Sequence, residues 1–274
     1  RFGIMRCREF YMKDAYSFDL NDEEANFSYN KFFLAYLNTF KRLNLAAIPM
    51  AADTGPIGGN LSHEFVILAD TGESKIYADK RIFDVNFTES VIEKKSLKVL
   101  RKNFEKYYAV TDEKFDKDEF EKIVPQEHRL ITKGIEVGHI FYFGDKYSKA
   151  MKASVDYQGQ KTFVKMGSYG VGVSRLVGAI IEAKYDDKNE IMKWPVPIAP
   201  YECVILDSGN KGDGEKMSKK ALHLMDKLKD IDLIVDDTDD NISSKIKKFN
   251  LIGVPYQIIL GSKTPDDSFE FRET

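Results

Sequence analysis

The chain has 274 residues, 43% of them hydrophobic and 31% charged, which is enough to bury real cores in two domains or more. Its 41 basic and 44 acidic side chains leave a net charge of −3, so a globally basic nucleic-acid-binding surface is excluded and any such contact must use a local patch. Only Cys7 and Cys203 are present, which rules out a disulfide framework and a cysteine-built zinc site and makes a reducing cytoplasm the expected setting. No apolar run approaches the roughly 18 residues that cross a bilayer, so no membrane partner is expected.

Residues 1–16 read as a loop returning into a strand. From Asp19 to about Leu43, Ala25, Phe27, Tyr29, Phe32, Phe33, Tyr36, Leu37 and Phe40 recur at helical spacing, with Asp22-Glu23-Glu24 where the helix dipole favours carboxylates. Leu45 to Met50 is a short strand, 53–59 a Gly/Pro turn, and Ser62 to Asp70 a second strand. Residues 74–130 are rich in Lys, Glu and Asp and read as a small charged insertion, with one helix over Ser96–Tyr108. Strands follow at Ile135–Phe143 and Lys161–Gly167, then a break at Gly170-x-Gly172 and a helix over Ser174–Lys184. The Pro-rich stretch 194–200 marks a boundary. Beyond it a β-α-β-α-β pattern (202–206, 216–229, 233–236, 243–249, 256–260) predicts a small α/β sheet with parallel strands.

Four segments could carry chemistry. Arg1, Arg6 and Arg8 lie within eight residues, beside Phe10. Guanidinium forks pair with phosphate oxygens and a ring face stacks on a purine, so the cluster suits a nucleotide triphosphate; taken alone, it is equally a solvated basic strand edge. Met166 to Leu176 runs strand, Gly-rich turn, helix, but Arg175 stands where a dinucleotide fold would want its third glycine, which favours a bound anion over a ribose. Glu136, on the strand 135–143, is either a Mg²⁺ ligand near the arginines or a partly exposed edge residue. Strict alternation puts Glu136, Gly138 and Ile140 on one face and Val137, His139 and Phe141 on the other, so Glu136, His139 and Phe141 are not expected to meet one ligand. His63 and Glu64 are adjacent on a strand, point to opposite faces and read as structural. Lys216-Met217-Ser218-Lys219-Lys220 nearly spells the KMSKS loop of class I synthetases, but no HIGH partner is present and the match is read as chance on a helix start.

The spacing Arg6-x-x-x-Phe10-x-x-x-Asp14 resembles the second half of motif 2 of class II aminoacyl-tRNA synthetases, and RFGIMRCREFYMKDAYSFD is similar to the bacterial-type prolyl-tRNA synthetases of class IIa. GSYGVGVSR, ending at Arg175, resembles motif 3, and TGPIGGNLSHEF resembles the TGxIGGxxSHEF signature of that family. The resemblance covers 1–72 and 131–274. It implies an α/β (α+β) fold: an antiparallel-sheet catalytic core over 1–73 and 131–196, and an α/β anticodon-binding domain over 197–274, truncated at its C-terminus. It also implies a start inside motif 2, with motif 1 missing and the fragment inactive alone.

The implied activity is ATP- and Mg²⁺-dependent activation of proline and its transfer to tRNA(Pro) by a cytoplasmic homodimer. Arg6, Cys7, Phe10, Glu136, His139 and Arg175 would bind ATP, with Arg6 and Arg175 catalytic and Glu136 holding the metal. Met12, Asp14, Tyr16, Ile57, Phe141 and Ser168 would form the proline pocket. Ser168 stands where many relatives carry Cys. Lys245, Lys247 and Lys248 would meet tRNA phosphates. Residues 74–130 stand where many relatives insert a domain that hydrolyses mischarged alanyl-tRNA and are too short for it, so no such editing is expected. Two alternatives remain open: a non-catalytic, synthetase-like RNA-binding or regulatory protein, and a class IIa enzyme for another amino acid such as threonine.

Overall fold

Residues 12–19 alternate between exposed and half-buried side chains and form strand β1 (Met12–Asp19). The computed structural model describes residues 3–55, 59, 61–88, 92–209, 215–265 and 267–274. Two units are resolved by their internal packing, Arg1–Ala183 and Lys184–Thr274.

In the first unit β1 is followed by α1 (Asp22–Arg42), β2 (Ala47–Ala51), β3 (Leu61–Leu68), β4 (Ser74–Asp79), α2 (Lys94–Glu105), β5 (Ala109–Thr111) and α3 (Lys117–Ile123). Then come β6 (Arg129–Gly144), α4 (Lys146–Ala150), a hairpin of β7 (Ser154–Tyr157) and β8 (Gln160–Phe163), β9 (Lys165–Gly172) and α5 (Val173–Lys184). Seven strands form one sheet in the order β1-β9-β6-β3-β2-β5-β4, and the long β6 also pairs with β4 through its first half. All pairings are antiparallel except β2–β5. The charged stretch 74–130 therefore gives two strands, β4 and β5, to this sheet. Their buried runs Ile76-Tyr77-Ala78 and Ala109-Val110-Thr111 are too short for periodicity to separate from their Lys- and Glu-rich flanks.

Helix α1 lies on the sheet. Asn21 caps it by accepting from Glu24 N (3.0 Å), and acids in its first turn and bases in its last complement the dipole. Its buried face, Tyr29, Phe33, Tyr36, Leu37 and Phe40, meets Phe65 of β3 at ring-centroid distances of 5.3–5.7 Å for Phe33, Tyr36 and Phe40. Each buried Phe contributes on the order of 2–3 kcal/mol. Gly138 of β6 permits this approach, since a Cβ there would meet the Tyr36 and Phe40 rings at 3.2–3.3 Å.

The second unit begins with a two-stranded ribbon, β10 (Tyr185–Asp186) and β11 (Ile191–Met192). It continues through β12 (Cys203–Asp207), α6 (Lys219–Lys227), β13 (Leu233–Asp236), α7 (Ile242–Ile252), β14 (Tyr256–Leu260) and β15 (Glu270–Glu273). The sheet order is β13-β12-β14-β15; β12 runs parallel to both neighbours, and β15 adds an antiparallel edge. β12 is buried throughout, as a strand covered on both faces must be. Cys203 and Ile205 pack with Ala221 of α6, while Val204 and Leu206 pack with Phe249 of α7. The division falls before the Pro-rich stretch because Trp194 is tied into this unit: its indole Nε1 donates to Ile252 O at 3.0 Å. Ser218, within the near-match to KMSKS, is the N-cap of α6, accepting from Ala221 N.

Candidate functional site

The β1-β9-β6 side of the first sheet carries a cleft of about 920 Å³. Strand register builds its floor. Asp14 of β1 lies opposite Gly170 of β9, which lies opposite His139 of β6; in the next row stand Tyr16, Ser168 and Phe141. Because directly paired residues share a face, these side chains stand on one side of the sheet. Gly170 keeps the floor open: a Cβ there would meet Met12 Cε at 3.0 Å and Asp14 Oδ1 at 3.3 Å. Gly170 and Gly172 lie inside β9 rather than at a break, since β1 and β6 hold this strand on both sides. Tyr16 stands at the margin, outside the lining, and its hydroxyl donates to Asp14 Oδ2 at 3.2 Å.

Glu136, His139 and Phe141 face the cleft together, contrary to strict alternation. The reason is a β-bulge. Phe65 of β3 pairs with Gly138, but the next residue, Val66, pairs with Glu136, so Val137 is an extra residue on β6. The bulge shifts the pleat by one and brings Glu136 to the His139 face. His139 Nδ1 then lies 3.1 Å from Glu136 Oε1, its Nε2 lies 2.6 Å from Ser62 Oγ, and its ring stacks on Phe141 at 3.7 Å.

Arg175 enters from the first turn of α5. Its guanidinium donates to Glu136 O (2.9 Å), Glu136 Oε2 (3.2 Å) and Met5 O (3.2 Å), linking β6 to a 3-10 turn over Gly3–Arg6. A second link joins Tyr11 N to Ser174 Oγ at 2.8 Å. Arg6, half exposed, pairs with Glu73 at 2.8 Å. Exposed pairs of this kind hold by about 0–1 kcal/mol, so the guanidinium can exchange its carboxylate for a phosphate. Cys7 lines the cleft and directs its thiol to Gly3 O and Ile4 O, and Phe10 leaves 57% of its surface free at the rim. Ile57 lies outside the described residues.

Glu64, read with His63 as structural, lies instead at the cleft face. His63 does point away into the core, where Tyr29 Oη approaches its Nδ1 at 2.6 Å, but Glu64 on the opposite face stands 3.8 Å from His139 Nδ1. Burial, then the charges of Glu136 and Glu113, push the Glu64 carboxyl up to about 8. Burial acts on Glu136 in the same sense, but there it is outweighed: the hydrogen bond and charge of His139 and the charge of Arg175 hold Glu136 below the usual carboxylate range. Glu64, Glu136 and His139 direct ligand atoms within 4.8 Å of one another, a set that can hold a cation. Carboxylate oxygens suit Mg²⁺, and the crowding of two carboxyls is a negative charge that a cation would relieve.

The lysines expected to meet RNA fare differently in the second unit. Lys247 is exposed. Lys248 is half-buried and pairs with Asp236 (2.6 Å) and Asp240 (3.6 Å). Lys245 does not fit that role: it is fully buried, donates to Asp207 O (2.6 Å) and Asp236 O (2.8 Å), and pairs with Asp236 at 3.4 Å. It stands on the stripe Ile242, Lys245, Phe249, three and four residues apart, that α7 turns toward the sheet.

Residues 1–184 match the family described as tRNA synthetase class II core domain (G, H, P, S and T), and residues 202–274 match an anticodon binding domain. The chain belongs to the class II aminoacyl-tRNA synthetase family. Among curated relatives, this class II chain is 69% identical over its whole length to a proline--tRNA ligase of Pelagibacter ubique (strain HTCC1062), of which it covers 62%. It is 48% identical over 96% of its length to a proline--tRNA ligase of Bradyrhizobium sp. (strain BTAi1 / ATCC BAA-1182), covering 60% of that protein. The class II chain thus spans about three fifths of the length of these relatives. In fold it is similar to a prolyl-tRNA synthetase from Cryptosporidium parvum solved with L-proline and AMP, with a TM-score of 0.64 and 13% identity, over 99% of this chain and 46% of that one.

Proposed function

We propose that the protein is a proline--tRNA ligase: it activates proline with ATP to prolyl-adenylate and pyrophosphate, then transfers the prolyl group to tRNA(Pro). The observation that carries this reading is the 69% identity to a proline--tRNA ligase over the whole length of the chain, together with the cleft that its candidate residues line. Arg6 and Arg175 take the ATP phosphates, Phe10 stacks on the adenine, and the Cys7 backbone and His139 flank the nucleotide. The part of the floor lined by Met12, Asp14, Ser168 and Phe141 takes proline, with Tyr16 at its margin; Ile57 remains a further candidate. Asp14 supplies the negative charge for the ring ammonium. The chemistry is positioning and charge stabilisation, in which the proline carboxylate attacks the α-phosphate in line while the guanidiniums draw charge toward the leaving pyrophosphate.

Glu136, with Glu64 and His139 beside it, would hold Mg²⁺, which supplies neutralisation of phosphate charge when bound. The second unit binds the anticodon arm, with Lys247 and Lys248 available to phosphates. The complete protein works as a cytoplasmic homodimer. The test is charging of a tRNA(Pro) transcript with labelled proline, with threonine as the competing substrate. Proline alone should be attached, and attachment of threonine instead would reassign the pocket.

A further inference from the structure

A second groove, of about 580 Å³, lies between α1 and α2, on a different part of the first unit from the cleft. Helix α2 has no acid in its first turn, where the dipole would favour one, and carries Lys94 and Lys95 there instead. Its N-cap, Glu93, makes no capping hydrogen bond. Lys95, Lys98 and Arg101 recur every third residue and line one wall of the groove. Among the described residues Lys95 and Lys98 make no ion pair, and both are exposed. Arg101 is mostly buried: its Nε lies 3.0 Å from Glu105 Oε1 without hydrogen-bond alignment, and its Nη1 has no hydrogen-bond partner among the described residues. On the α1 wall, Asn30 is 4% exposed and its Oδ1 accepts no hydrogen bond among the described residues.

The carboxylates of the groove are already matched. Glu23 pairs with Lys94, and Asp22 accepts from Tyr142 Oη and lies 3.7 Å from Lys165. What remains is a row of two exposed cations, Lys95 and Lys98, next to Arg101, whose charge is paired with Glu105 but whose Nη1 is buried without a hydrogen bond among the described residues, beside a buried neutral acceptor. Phosphate oxygens suit the row, and a ribose 2′-hydroxyl suits Asn30 Oδ1.

We infer that this groove binds the ribose–phosphate backbone of an RNA strand, as a contact separate from both the cleft and the anticodon-binding unit. The choice of RNA among phosphate-bearing ligands rests on the synthetase reading; the anion chemistry does not. The test uses the full-length protein and the double variant Lys95→Gln/Lys98→Gln, with tRNA(Pro) affinity measured from about 50 to 200 mM salt. Two lost phosphate contacts should flatten the dependence of log affinity on log salt by about 1.5–2, so that the variant loses about tenfold less affinity than the wild type over that range. Proline-dependent pyrophosphate exchange should stay within about twofold of wild type, showing an intact cleft. An unchanged salt slope and affinity would overturn the proposal. So would loss of inorganic phosphate binding with tRNA binding intact, because the groove would then be a small-anion site. A flattened slope in a protein that fails to activate proline would leave the groove standing and sink the synthetase reading instead.

Discussion

Arg175→Lys keeps the positive charge at the end of β9 but removes the fork. In the native structure the guanidinium reaches two elements at once, Glu136 on β6 through two bonds and Met5 O on the turn that carries Arg6. A lysine ammonium on one flexible stem reaches one side only. If it keeps Glu136, the turn is released and Arg6 loses its fixed position; if it keeps Met5, the carbonyl and carboxylate of Glu136 lose their donor. One bond is missing in the first case and two in the second, at about 1.5 kcal/mol each where phosphate charge is stabilised, for a loss of about 1.5–3 kcal/mol of barrier, on the order of 10- to 10²-fold in rate. Stability should move less, by about 1 kcal/mol or 2–4 °C in Tm, since the site is partly solvated. Pyrophosphate exchange at saturating proline, run against ATP concentration with calorimetry in parallel, separates the two effects. Exchange within threefold of wild type would show that the fork does not anchor the phosphates.

Three further outcomes follow from the same geometry. Glu64 has a folded-state value of about 8 against an ordinary 4.5, so the folded protein keeps a proton that the unfolded chain has shed; this group lowers stability as pH rises from about 4.5 to 8. Glu64→Gln removes that slope, and a Tm-versus-pH curve parallel to wild type would contradict the burial of this carboxyl. Lys245→Ala takes the donor from the buried Asp207 and Asp236 carbonyls, while Lys248 still pairs with the Asp236 carboxylate, and should cost about 1–3 kcal/mol in urea unfolding of the whole protein, whereas Lys247→Ala should shift stability by less than about 0.5 kcal/mol while weakening tRNA binding. The protein should release no amino acid from preformed alanyl-tRNA(Pro), measured by deacylation, since residues 74–130 give part of their short length to the core sheet through β4 and β5.

The long elements were legible because their signals are local. The aromatic stripe of α1 and the β-α-β-α-β pattern of the second unit are each read within a short stretch, and the first sheet then brings Asp14, Ser168, His139 and Arg175 to one cleft. What sequence could not show depends on partners far along the chain. The Val137 bulge exists only in the pairing of β6 with β3, so alternation read along β6 alone misplaced Glu136 relative to His139. The ion pair between Arg6 and Glu73 spans 67 positions. Glu64 read as structural because it cannot share a metal with the adjacent His63, but the partner it meets is His139 of β6, on its own face of the sheet and 75 positions along the chain. Lys245 was misread as a surface charge, but a signal was present: it shares the helical spacing of Ile242 and Phe249, and a cation on an apolar stripe must be caged by acceptors, as Asp207 O and the Asp236 carboxylate and carbonyl do here.

Amino-acid-dependent ATP–pyrophosphate exchange on the complete protein tests the central claim most directly. Exchange should require proline and should fall at least about 10²-fold in Arg175→Ala, in keeping with the loss of one phosphate anchor. Exchange driven by threonine in preference to proline, or no exchange with any amino acid, would contradict it.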